Sequence, residues 1–142
     1  MGLEEILTNW RFFMKLICII LLSLSFNLFA AEEKISGVIN LNKKLESKIV
    51  PTGALYVFAK KVNGQMPVAV LKIAAPKFPQ NFELTSANVM IAGTKFEGPV
   101  KITARYSPNG DAIASKDSLE ATTSKEVNLG TSGIKLDLAT KK

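Results

Sequence analysis

The segment from Gly53 to Ile73, GALYVFAKKVNGQMPVAVLKI, constrains the fold more than any other part of the sequence. Two runs rich in β-branched and aromatic residues, which favour strands, flank Asn63-Gly64. Asn-Gly is the strongest local signal for a two-residue type I′ turn, because both central residues of that turn need positive φ. The segment therefore predicts a β-hairpin, and its nearly continuous apolar runs indicate strands that are buried on both faces.

The sequence beyond residue 34 has the two-residue periodicity of β-strands. VKITARY (100–106) alternates apolar side chains with Lys101, Thr103 and Arg105, as a half-exposed strand does. Further strands are predicted at ISGVINL (35–41), NFEL (81–84), AIA (112–114), EVNL (126–129) and IKLDL (134–138). Helix signals are limited to one or two turns in LNKKLESKI and in TSANVM, the latter with Thr85 or Ser86 as cap. This pattern predicts an all-β fold, an antiparallel two-sheet sandwich of seven or eight short strands.

The N-terminal part of the chain has the features of a secretory signal. Residues 16–31 contain no charged side chain and follow Lys15, a run that is short for a bilayer span but typical of a signal peptide. We expect residues 1–30 to be a signal peptide, cleaved after Ala30, and residues 31–142 to form a single β-sandwich domain. Met14 is a better start than Met1, because Glu4 and Glu5 are unusual before a secretory segment. The alternative is an uncleaved N-terminal anchor.

The residue inventory excludes most catalytic chemistry. The sequence has no histidine, and its one cysteine, Cys18, lies in the predicted signal. Residues 31–142 therefore lack an imidazole base, a thiol nucleophile, a disulfide and the ligand set of a blue-copper centre. Asn109, Asp111, Asp117 and Glu120 form an oxygen-rich stretch, but their spacing is not that of a calcium loop. We predict no enzymatic activity, no catalytic or metal-binding residues and no cofactor.

The net charge of +6 favours an anionic partner. Residues 31–142 hold one arginine, Arg105, and aromatic residues do not interleave with the basic ones, so nucleic acid is not expected as a partner. Lys60 and Lys61 are adjacent, and Lys101 shares a strand face with Arg105. This basic face fits an anionic peptide segment or headgroup, and the alternative is an ordinary solvated charged surface.

The opening segment also resembles the periplasmic C-terminal Ig-like domain of CycH/CcmI-type cytochrome c biogenesis proteins, where a strand of the form LFVFAR leads through a turn to MPLAV. ISGVINLNKKL, FPQNFELTSANVM and ITARYSPNGDAIASKDSLEA are similar to further segments of that domain, in the same order. The resemblance implies an Ig-like sandwich in the periplasm. It also implies a chaperone or scaffold that holds apocytochrome c without making bonds.

Transferred position by position, the resemblance points to five contact residues. Met66 and Pro67 stand where the family has Met-Pro, Lys60 where it has Arg, and Arg105 with Tyr106 at a basic strand end. We predict these residues as contacts to a protein or an extended peptide, with apocytochrome c or a haem ligation component as candidates. We expect the peptide to add to a sheet edge. Contact with a membrane is expected only through an uncleaved signal segment.

The alternative function is that of a periplasmic carrier for a small ligand or a metal ion. Met66 and Met90 are possible soft ligands for cuprous ion, and a lipid could lie between two sheets. Isolated methionines are more often core or contact residues, which favours the binding module.

Overall fold

The computed structural model describes residues 2–23 and 33–140, with side chains described for residues 2–15 and 33–140. The chain divides into an N-terminal unit and a β domain. The N-terminal unit contains one helix, α1, at Leu3–Ser23, which includes the start of the predicted signal's apolar run. No helix within the described ranges is both long and apolar enough to cross a bilayer. The predicted cleavage site after Ala30 lies outside the described residues.

The β domain has seven strands and two short 3₁₀ helices. The strands are β1 (Ile35–Leu41), β2 (Ala54–Lys61), β3 (Pro67–Ala74), β4 (Gln80–Leu84), β5 (Val100–Ser107), β6 (Leu119–Thr122) and β7 (Ile134–Thr140). The 3₁₀ helices are Lys43–Lys48, capped by the Asn42 side chain, and Ser86–Asn88, capped by Thr85. The two weak helix signals in the sequence therefore correspond to real but tightly wound turns.

All seven strands belong to one mixed sheet, in the order β3-β2-β5-β6-β7-β1-β4. Alternate residues of each strand point to the same side of this sheet, and those residues form the core. The largest fully buried apolar side chains are Tyr106, Ile35, Ile39, Leu55, Leu84, Ile102, Leu119, Val57 and Val100. Because one face of a single sheet supplies the core, the sheet curls around it and is nearly barrel-shaped.

The prediction of an all-β fold is confirmed, but the arrangement differs from an antiparallel two-sheet sandwich. β1 pairs in parallel with β7, with Ile39 opposite Leu136, and antiparallel with β4. A two-residue periodicity indicates that one face of a strand is buried. It does not indicate whether a second sheet or the same curled sheet covers that face. The parallel pairing joins the first and last strands, and no local pattern specifies such a distant partner.

The predicted hairpin exists, but its turn is not the two-residue type I′ turn. β2 ends at Lys61 and β3 begins at Pro67, so five residues connect them. The Gly64 amide donates to the Lys61 carbonyl oxygen at 3.0 Å, and Asn63 has no positive φ. Asn63-Gly64 thus occupies the third and fourth positions of a turn, a position where glycine is also favoured. A bulge between Ala59 and Lys60 adjusts the register beside Pro67.

Two predicted strands are absent, and one strand was not predicted. Residues 112–114 lie in the β5–β6 loop, and residues 126–129 contribute only an isolated bridge between Val127 and Val100. β6 (Leu119–Thr122) pairs with β5 in a stretch that reads as polar loop. Its charged and hydroxyl residues point outward, while Leu119 and Ala121 face the core. The sequence does not mark this strand, because its short alternation stands in a polar stretch that is typical of a loop.

Candidate functional site

A groove lies on the outer face of the sheet, on the side away from the core, and crosses β3, β2, β5 and β6. It has a volume of about 350 Å³ and gathers three of the predicted contact residues: Lys60, Pro67 and Arg105. The complete lining, called here the outer groove, is Phe58, Lys60, Gln65, Pro67, Thr103, Arg105, Glu120 and Thr122. Strand alternation explains the grouping on β2, β5 and β6, because residues two apart on one strand share a face. Pro67 joins them through the register shift between Ala59 and Lys60, which brings it opposite Lys60.

Three contacts hold the Arg105 side chain in the outer groove. Its Nε donates to Glu120 Oε1 at 2.5 Å, and its Nη1 donates to the Ala112 carbonyl oxygen at 2.7 Å. The guanidinium carbon also lies 5.1 Å from the centre of the Phe58 ring, a cation–π arrangement. The carboxylate therefore offsets much of the Arg105 charge, and the side chain links the groove to the β5–β6 loop.

Aromatic residues continue the outer face beyond the groove. Tyr56 and Phe58 lie two apart on β2, and their rings stack with centroids 6.1 Å apart. The Tyr56 hydroxyl donates to the Gly110 carbonyl oxygen at 2.6 Å, so the β5–β6 loop covers this ring. Lys72 Nζ lies 5.6 Å from the Tyr56 ring centre. The prediction that both hairpin strands are buried on both faces is confirmed for the first half of β2, while Phe58 stays half-buried at the groove. It is wrong for β3, in which only Ala69 is fully buried.

Lys60 and Pro67 stand opposite one another across β2 and β3. The Lys60 side chain is exposed, and it forms no ion pair within the described part of the chain. On its other side Lys60 is opposite Lys101 of β5, which is also exposed. β3 is an end strand of the sheet. Val89 and Met90 bridge its outer edge at Val68 and Ala69, and within the described ranges no strand lies beside residues 70–74 at that edge.

An exposed apolar patch adjoins the start of β3. It consists of Val62, Met66, Met90 and Ile91, each at least half exposed, and is called here the Met66 patch. The Met90 amide donates to the Val68 carbonyl oxygen at 3.1 Å, which brings the segment after the second 3₁₀ helix alongside β3. Flexible methionines on a surface suit the binding of varied apolar side chains.

Tyr106, the fifth predicted contact residue, is instead part of the core and is fully buried. Its hydroxyl accepts from the Val50 amide at 2.8 Å and donates to the Val50 carbonyl oxygen at 3.2 Å. Gly53 lies against this hydroxyl, since a Cβ there would sit 2.0 Å from it. The alternation of β5 explains the difference: Arg105 faces out, and the next residue must therefore face in.

Two important residues of the outer groove were not predicted. Phe58 could have been found, because Tyr56, Phe58 and Lys60 alternate and must share a face of β2. Glu120 could not, because its pairing with Arg105 depends on β6 and its register with β5. Glu120 accepts from Arg105, whereas Asp111 accepts from the Asn109 side chain in the turn after β5. No cluster of three or more acidic, histidine or cysteine residues suited to a metal occurs in the described ranges.

Comparison with known proteins assigns the β domain to a family. The sequence profile of the cytochrome c-type biogenesis protein H Ig-like domain matches residues 35–138, which include all seven strands except the last residues of β7. The chain belongs to this family. The match confirms the resemblance to the CycH/CcmI Ig-like domain that the hairpin and its neighbouring segments indicated.

Two further proteins are similar to this chain. An uncharacterized protein of Aquifex aeolicus (strain VF5) is 35% identical over 78 residues, which are 54% of this chain and 51% of that protein. The chain thus spans about half the length of the curated relative it matches. The solved structure of an alternative pilotin from the type II secretion system of Vibrio cholerae has a TM-score of 0.49 and 13% identity, covering 78% of this chain and 97% of the pilotin. The family assignment rests on the profile match.

Proposed function

We propose that the β domain is a non-catalytic protein-binding module of the cytochrome c maturation type, which holds a haem-free, non-native polypeptide. The family match supports a role among cytochrome c biogenesis proteins. The observation that carries the proposal is the convergence of Lys60, Pro67 and Arg105 in the outer groove, beside the Met66 patch. Such a surface can bind an unfolded segment non-covalently. It combines the polar side chains and the half-buried Phe58 ring of the outer groove with the flexible methionines of the Met66 patch.

We propose that the domain binds the polypeptide in an extended conformation. The outer groove crosses four strands and reaches β3, whose outer edge is bridged by Val89 and Met90 at its start and has no neighbouring strand beside residues 70–74 in the described part of the chain. A peptide added to that free stretch would gain main-chain hydrogen bonds, and where it continues across the outer face its side chains would contact the outer groove and the Met66 patch. We also propose that the domain works in the periplasm, after residues 1–30 are removed as a signal peptide. N-terminal sequencing of the protein from a periplasmic fraction should then begin at Ala31.

The affinity of the full chain for haem-free and haem-loaded cytochrome c tests the proposal. We expect the haem-free form to bind and the compact, haem-loaded form to bind at least about tenfold more weakly, because only the former offers extended apolar segments. Met66→Ser should weaken binding, whereas Lys44→Ala, on the first 3₁₀ helix at the far end of the domain, should not. Absence of binding to the haem-free form, or equal binding to both forms, would contradict the proposal.

One observation favours a second function, a carrier of cuprous ion. Met66 and Met90 are both exposed, at 65% and 52%, and lie on segments that the Met90–Val68 hydrogen bond joins. Thioether sulfur is a soft ligand that selects cuprous ion. Calorimetry with cuprous ion under anaerobic conditions should show binding that Met90→Leu abolishes. Absence of heat for the unaltered chain would eliminate this function and leave the protein-binding module.

A further inference from the structure

Two lysines of the outer face stand directly opposite one another. Lys60 of β2 pairs in register with Lys101 of β5, and strand alternation places both side chains on the outer face with Thr103 and Arg105. Lys60 lines the outer groove, and Lys61 follows it at the strand end. Like charges directly opposite each other in a sheet are destabilising. The isolated domain therefore gains nothing in stability from this pair.

The described part of the chain does not neutralise these lysines. Neither Lys60 nor Lys101 forms an ion pair there. Glu120, the carboxylate that lines the outer groove, is engaged by Arg105. The bridge between Val100 and Val127 brings Glu126 into the neighbourhood of Lys101, yet the two side chains do not form an ion pair. One end of the outer groove thus keeps an excess of positive charge.

The surroundings of the two lysines define the kind of partner. Phe58 and Pro67 supply apolar contact within the outer groove, and the Met66 patch adjoins it at the start of β3. Gln65 and Thr103 can pair with peptide groups. A single carboxylate can approach the lysines without meeting Glu120, whereas a dense layer of anionic headgroups would also face the Glu120 and Glu126 carboxylates. The charges and the apolar lining together fit a peptide better than a bilayer.

We propose that the outer groove recognises a polypeptide segment in which an Asp or Glu carboxylate, flanked by apolar residues, lies between Lys60 and Lys101. This inference rests on the proposed function and specifies the chemistry of the bound segment. The carboxylate relieves the repulsion between the two ammonium groups, and its apolar neighbours contact Phe58, Pro67 and the Met66 patch. Such a contact fixes the register of an extended segment and speeds its association.

Binding of two designed peptides to the full chain tests the inference. The probes are a short peptide of alternating Val and Glu around a central Phe, and its counterpart with Gln in place of each Glu. We expect the Glu peptide to bind at least about tenfold more tightly, and this preference to shrink when the salt concentration rises from about 0.05 M to about 0.5 M. The double variant Lys60→Glu with Lys101→Glu should lose the preference.

A matched control carries the same change of net charge elsewhere. Lys43→Glu with Lys44→Glu alters two exposed lysines of the first 3₁₀ helix, and the preference for the Glu peptide should remain. Equal binding of the two peptides, no binding of either, or an equal loss of the preference in both double variants would overturn the inference. So would tighter binding of vesicles with anionic lipid than of the Glu peptide.

These outcomes separate the inference from the proposed function. If haem-free cytochrome c binds the chain while the Glu and Gln peptides bind alike, the inference is wrong and the protein-binding function stands. If the Glu peptide is preferred while haem-free cytochrome c does not bind, the acidic recognition stands and the role in cytochrome maturation fails.

Discussion

Replacing Tyr106 by Phe should destabilise the β domain without weakening partner binding. The Tyr106 hydroxyl accepts from the Val50 amide at 2.8 Å and donates to the Val50 carbonyl oxygen at 3.2 Å, so the change removes both hydrogen bonds. A neutral hydrogen bond contributes about 1 kcal/mol net. The Val50 amide also loses its partner, at a cost of about as much again, whereas the Val50 carbonyl oxygen still accepts from the Gly53 amide at 3.0 Å. We expect the free energy of unfolding to fall by about 2 kcal/mol, which lowers Tm by roughly 8 °C in a domain of this size.

Urea denaturation followed by circular dichroism measures this change, and affinity for haem-free cytochrome c measures the second part of the prediction. Tyr56→Phe is a matched control, because it removes a single hydrogen bond, to Gly110 at 2.6 Å, and should cost about half as much. The reasoning is refuted if Tyr106→Phe loses less than about 0.5 kcal/mol of stability. It is also refuted if the variant keeps native stability but loses affinity, since Tyr106 would then act as a contact residue.

Three further substitutions should separate the core from the binding surface. Gly53→Ala would place a Cβ 2.0 Å from the Tyr106 hydroxyl, so we expect at least about 3 kcal/mol of destabilisation, measured by urea denaturation, or a chain that does not fold. Arg105→Lys should cost about 1 kcal/mol in the same assay, since an ammonium cannot reproduce the planar contacts to Glu120 and the loop; an unchanged midpoint would contradict this. Met66→Ser should leave Tm unchanged and weaken binding of haem-free cytochrome c about threefold or more, because Met66 is 65% exposed; a fall in Tm would identify it as a structural residue.

Local sequence patterns predicted most strands but not the architecture. β1, β4, β5 and β7 were recognised because each alternates apolar and polar residues over several positions. LEAT (β6) and EVNL (126–129) each have four residues and alternate in the same way. LEAT forms a strand, whereas EVNL forms only one isolated bridge. Whether an alternating segment becomes a strand depends on an available edge, and that edge is set by distant parts of the chain. The parallel pairing of β1 with β7 likewise depends on contacts between distant parts of the chain.

The candidate site was predicted in part, for the same physical reason. Lys60, Met66, Pro67 and Arg105 came from one hairpin and one strand, and the structure places them in or beside the outer groove. Tyr106 departs from the prediction because it follows Arg105 directly in β5, and adjacent residues of a strand face opposite sides of the sheet. The Met66 patch could not be predicted, because it forms only when the hydrogen bond between Met90 and Val68 joins segments that are separate in sequence.

The central claim is that the domain binds a non-native polypeptide at the outer groove. Amide chemical shifts of the isotope-labelled full chain during titration with haem-free cytochrome c test it most directly. We predict that the perturbed amides cluster at Phe58, Lys60, Met66 and Thr103, while those of Lys43–Lys48 at the other end of the domain stay unchanged. Perturbations confined to that first 3₁₀ helix, or no perturbation at all, would contradict the account.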